Sequence, residues 1–129
     1  MTTASTSEPV GDVAQLPGPL PQAFAVVGGM AAWGVAVLIA YPMVQIACAV
    51  GSSLLVHMVR WIATVIAVAA TVAGIWIYRR AQAVDAERIG PERVQRVRFM
   101  GAAGALLSAS GALLLIVEDI ATWVIDPCL

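Results

Sequence analysis

The side chains in this sequence able to do chemistry gather near one end of its apolar segments: Cys48, His57, Met58, Arg60, Glu118, Asp119, Asp126 and Cys128. Cys48 and Cys128 are the two cysteines of the chain. If both lie on an oxidising side of a membrane, an even count predicts a disulfide between them, tying the carboxyl-terminal tail to the first apolar run. The alternative is copper. Met43, Cys48, His57, Met58 and Cys128 are soft or borderline donors suited to Cu(I), although no CxxC or HxxxM spacing supports a metal site. Ionisable groups at membrane depth are costly unless paired or wetted. Arg60 is therefore expected to pair with Glu118 or Asp119, with His57 within reach of the same carboxylates. An ion pair that pins helices together is preferred over a proton relay.

These residues need elements to hold them, and the composition says what kind. The 129 residues are 60% hydrophobic and 12% charged, with a mean hydropathy of +0.89, whereas soluble domains run about 45–50% apolar and about 25% charged. One small all-α membrane domain follows. Three apolar runs, about 24–49, 54–78 and 97–121, each exceed the roughly 18 residues needed to cross a hydrocarbon core. A signal peptide is a poor account of the first run, because residues 1–22 hold no Lys or Arg and the run is too long for an h-region.

Charge distribution sets the expected orientation. Of seven cationic residues, all but Arg60 lie in the stretch 79–98: Arg79, Arg80, Arg88, Arg93, Arg96 and Arg98. Short loops rich in Arg stay in the cytoplasm. With three spans, the N-terminus is then cytoplasmic and the C-terminus periplasmic, and the arginines are placed to meet anionic lipid headgroups. Trp61 and Trp123 fall near the outer ends of their spans and Trp76 and Tyr78 near the inner end, as amphipathic rings do in a bilayer. Trp33, well inside the first span, reads as a packing residue.

The remaining segments are read more coarsely. Residues 1–22 carry Pro9, Pro17, Pro19 and Pro21 and predict a flexible tail without regular helix. The Arg-rich loop 79–98 predicts a short helix around 81–87 and a break at Gly90–Pro91. Pro42 is expected to kink the first span or end its regular part early. The third span places Gly101, Gly104, Ser108 and Gly111 at spacings of three and four, and the second offers Ala63, Ala67 and Gly74. Small residues replace the hydrophobic force that is absent between helices in lipid, and their abundance predicts docking against other membrane subunits as well.

No Walker-type loop, HExxH, GxSxG or CxxCH is present, and a single His excludes bis-histidine haem ligation within one chain. The expectation is a protein that is not an enzyme and holds no cofactor. The strings AAW (31–33), AYPMVQIAC (40–48), LLVH (54–57) and DPC (126–128) resemble a group of small, uncharacterised three-span bacterial inner-membrane proteins encoded near haem–copper terminal oxidase genes. The resemblance covers nearly all of residues 24–129. It departs at Val35 and Val37, where members carry a His, so no haem or proton role at that position carries over. What the resemblance implies is an accessory subunit or assembly factor of a respiratory terminal oxidase in the bacterial inner membrane. The alternative is a periplasm-facing copper-handling protein using the outer Cys, His and Met cluster. Nucleic acid is not an expected partner, because topology already accounts for the arginines.

Overall fold

The computed structural model describes residues 16–125 and Cys128. Its elements follow in the order α1 (Pro19–Val50), α2 (Leu54–Ala83), α3 (Ala86–Ile89) and α4 (Pro91–Val124). Among the described residues there is no strand. α1, α2 and α4 are each long and apolar enough to cross a membrane, so the chain is a multi-pass membrane protein.

The helices are longer than their apolar runs. They hold 32, 30 and 34 residues, where about 20 suffice to cross the hydrocarbon. The expected loop 79–98 is therefore mostly helix. Arg79 and Arg80 end α2, Arg93, Arg96 and Arg98 lie in the first turns of α4, and Arg88 alone sits on the short α3. Arginine is a strong helix former, so hydrogen bonding continues past the hydrocarbon edge until a breaker intervenes. The short helix also starts later than predicted, at Ala86 rather than 81, with Asp85 Oδ1 accepting from the Glu87 N–H at 3.2 Å. Gly90 ends it with φ of 103°, a region that favours glycine, and Pro91 opens α4. That break lies at the predicted dipeptide.

The start of α1 corrects the expected tail boundary. Pro19 and Pro21 sit in the first helical turn, where the amide protons they lack would have no intrahelical acceptor in any case. Gln22 Nε2 donates to the Pro17 carbonyl at 3.0 Å, and Leu16 packs on the buried cluster of Ala25, Ile77, Ala81 and Val97. The expected flexibility of residues 1–15 concerns residues outside those described. Nor does Pro42 end the first span: α1 runs on to Val50, with Pro42 exposed, and stops at Gly51 (φ 70°), whose N–H returns to Ala47.

Small residues set how closely the helices approach. α4 packs on α1 along Gly104, Ser108 and Gly111 and on α2 along Gly101 and Ala105. A Cβ at Gly111 would lie 2.6 Å from the Gly29 carbonyl oxygen, one at Gly104 2.9 Å from the Ala25 backbone, and one at Gly74 2.6 Å from the Ala105 nitrogen. Ser108, fully buried, donates from Oγ to the Ala25 carbonyl at 2.7 Å and accepts from the Gly29 N–H at 3.3 Å. Its hydroxyl thus sits across one rung of the α1 ladder. Ala63 and Ala67 are buried against Ala36, Ala112 and Leu115. The small faces named from the sequence are thus filled by this chain's own helices.

Candidate functional site

The polar residues converge at the end of the bundle where α1 meets α2 and α4 runs out. Cys48, near the end of α1, and Cys128 form a disulfide with Cα atoms 5.5 Å apart, across a sequence separation of 80 residues. This bridge occupies both sulfurs. The proposed copper set loses its thiolates and keeps Met43, His57 and Met58 as soft or borderline donors, with His57 Nδ1 already 2.9 Å from Asp119 Oδ1. Asp126 lies outside the described residues.

Arg60 reaches α4, but not as an ion pair with a carboxylate. Its Nη1 donates to the Glu118 backbone carbonyl at 2.8 Å and to the Thr122 hydroxyl, which itself donates to the same carbonyl at 2.8 Å. The reason is angular. Consecutive helical residues point about 100° apart, so Glu118 and Asp119 cannot both face α2. Asp119 takes that side and meets His57, their side chains only 15% and 18% exposed for His57 and Asp119 respectively. Glu118 turns to α1, where its Oε1 accepts from Trp33 Nε1 at 2.9 Å. Arg60 is left with the helix backbone and the hydroxyl one turn on.

Each spanning helix is consequently tied to α4 at this end by a different bond. Trp33 holds α1, Arg60 and His57 hold α2, and the disulfide fastens α1 to the segment after α4. Trp123 closes the arrangement, its ring centroid 4.8 Å from that of His57. The sequence reading missed Thr122 and treated Trp33 as packing alone. A signal for Trp33 existed, because an indole N–H inside a span needs an acceptor, and a carboxylate at the edge of a neighbouring apolar helix is a natural one.

The opposite end carries the arginines. Arg98 Nε donates to the Ala81 carbonyl at 3.2 Å, closing the α2–α4 hairpin. The Arg80 guanidinium lies 5.2 Å from the centroid of Trp76, a cation–π distance. Arg79, Arg80, Arg88, Arg93 and Arg96 are exposed, and the Arg88–Asp85 contact at 3.9 Å is a surface pair of small worth.

Depth follows from the charge-free windows. Residues 61–78 of α2 and 99–117 of α4 hold no charged side chain. Counted from the middles of those windows, Arg60 and Glu118 both lie roughly 15 Å out at 1.5 Å per residue, which is the edge of a hydrocarbon core about 30 Å thick.

No protein-family model, curated protein or solved structure matches the chain. Function therefore has to be read from its own geometry.

Proposed function

We propose that the protein is a non-catalytic accessory subunit or assembly factor of a larger complex in the bacterial inner membrane, a respiratory terminal oxidase on the resemblance of its AAW, AYPMVQIAC and LLVH strings. The observation that carries this reading is on α1. Gly28, Gly29, Gly74, Gly101, Gly104 and Gly111 each face atoms of a neighbouring residue at close range, whereas nothing lies within 4 Å of a Cβ placed on Gly34. Ala31, one turn earlier on the same face, is exposed. Close-approach surface thus remains on the outside of α1 for a helix of another subunit. The docking face moves accordingly, from the small residues of α2 and α4, which are used internally, to α1.

The orientation proposed puts the arginine end in the cytoplasm, beside anionic lipid headgroups, and the disulfide end in the periplasm. Two independent rules agree on it: arginines are retained inside and disulfides persist outside reducing compartments. The three spans tied together at the disulfide end make a stiff unit, suited to bracing a partner.

The test is recovery of the tagged protein in mild detergent. Co-purification with a haem-containing complex is expected, and Gly34→Leu is expected to release the complex while leaving the helical content and the disulfide intact. Recovery of the wild-type chain free of any larger assembly would overturn the proposal.

A further inference from the structure

A groove of about 370 Å³ opens on the side of the bundle at the level of Arg60 and Glu118, lined also by Val37, Ala40, Tyr41, Val44 and Gln45. Val37, Ala40 and Val44 make its aliphatic part and Tyr41, Gln45, Arg60 and Glu118 its polar part, a mixed lining that suits a small molecule with both characters, and its volume falls at the low end of such sites.

The polar groups are only partly used by the protein. Among the described residues, the hydrogen bonds that Arg60 makes from its guanidinium run through Nη1, and its Nε is buried without a partner. An unpaired buried donor of this kind costs free energy unless something accepts from it. Glu118 accepts the indole proton at Oε1, which leaves Oε2 with no partner among the described residues. Tyr41 and Gln45, on the α1 wall, are both exposed. The Arg60 Nε has no surface open to the groove, but the lining as a whole sets a guanidinium, a phenol and an amide beside a carboxylate acceptor.

Charge and depth choose the ligand. One guanidinium and one carboxylate sum to zero, so the groove does not favour an anion. Its polar groups sit at the hydrocarbon edge, and on the α1 wall Val37 lies deeper, next to the level where Ala36 packs on Ala63 and Ala67, so the groove is open to a ligand that arrives from the acyl-chain region. A neutral ring carrying carbonyl acceptors that become hydroxyl donors meets both conditions, the carbonyl form accepting from Arg60 and the hydroxyl form donating to Glu118. We propose that this groove binds the head group of a membrane-soluble quinone or its quinol. The site lies wholly within this chain, so it stands or falls separately from the accessory role.

The test uses the purified full chain in nanodiscs of zwitterionic phospholipid, titrated with a decyl-substituted benzoquinone. The fluorescence readout comes from Trp33, hydrogen-bonded to a groove residue, in a parent in which Trp61, Trp76 and Trp123 are replaced by Phe. Saturable quenching is expected, weakened at least tenfold in Glu118→Gln and several-fold in Gln45→Leu. Because Glu118 also holds α1, the exposed-wall variants Gln45→Leu and Tyr41→Phe keep the test independent of folding. Absence of saturable quenching, or affinity unchanged in both wall variants, overturns the proposal. So does a tightly bound phospholipid, detected by native mass spectrometry, that the quinone cannot displace, since the groove would then be a lipid headgroup site.

Discussion

Trp33 and Glu118 show how one polar contact can decide which way a helix faces. The indole N–H and carboxylate meet at 2.9 Å between half-buried side chains, and the bond holds α1 in register with α4 near the lipid edge. Trp33→Phe keeps most of the apolar contact and deletes the donor. A loss of about 1–3 kcal/mol is expected from the bond and the orphaned carboxylate, measured by chemical unfolding in mixed micelles, with the far-ultraviolet circular dichroism unchanged. A variant as stable as the parent would remove this bond from the account. Gly111 is the counterpart on the packing side. Its missing side chain lets the Gly29 carbonyl come close, and a Cβ there would meet that oxygen at 2.6 Å against backbone that cannot yield locally. Gly111→Ala should therefore cost about 1–3 kcal/mol, whereas Gly34→Ala, with open space around it, should cost nothing measurable in the isolated chain.

Among the elements, the three apolar runs and the Gly90–Pro91 break were legible because composition and backbone chemistry act locally. Helix ends were not. The apolar signal stops at the hydrocarbon edge, while the helical ladder continues into water through Arg79 and Arg80 on α2 and from Pro91 on α4. The cysteine pairing was legible from count and placement. The partner of Arg60 was not, because one step along α4 swings a side chain by about 100°, and only the packed register shows that Asp119 faces α2 while Glu118 faces α1. Nor could spacing tell that the small residues of α4 would be consumed inside the bundle. Cys48→Ser with Cys128→Ser tests what the bridge does for these elements. Its helices are held by their own contacts, so helical content should persist while unfolding becomes easier by about 2–4 kcal/mol. An unchanged unfolding midpoint would show that the bridge contributes nothing to stability.

At the scale of the whole molecule, the two ends differ in kind. One is fastened by a covalent bond, the bonds from Trp33 and Arg60 to Glu118, and the His57–Asp119 contact; the other is fastened by the α2–α4 hairpin and presents exposed arginines. If the proposed orientation holds, a membrane-impermeant maleimide applied to intact cells after mild reduction should label Cys48 and Cys128, while a cysteine introduced at Glu87 stays unlabelled until the membrane is opened. The reverse pattern would invert the molecule.

The bridge between Cys48 and Cys128 also makes a closed loop of everything between them, and within that loop residues 84–90 are the stretch outside the spanning helices that is furthest from the bond itself. A protease that cuts there severs the backbone without parting the two pieces. The clipped protein should run as one band without reductant and as two fragments with it, so cleavage of this molecule would go unseen on a gel until thiol is added.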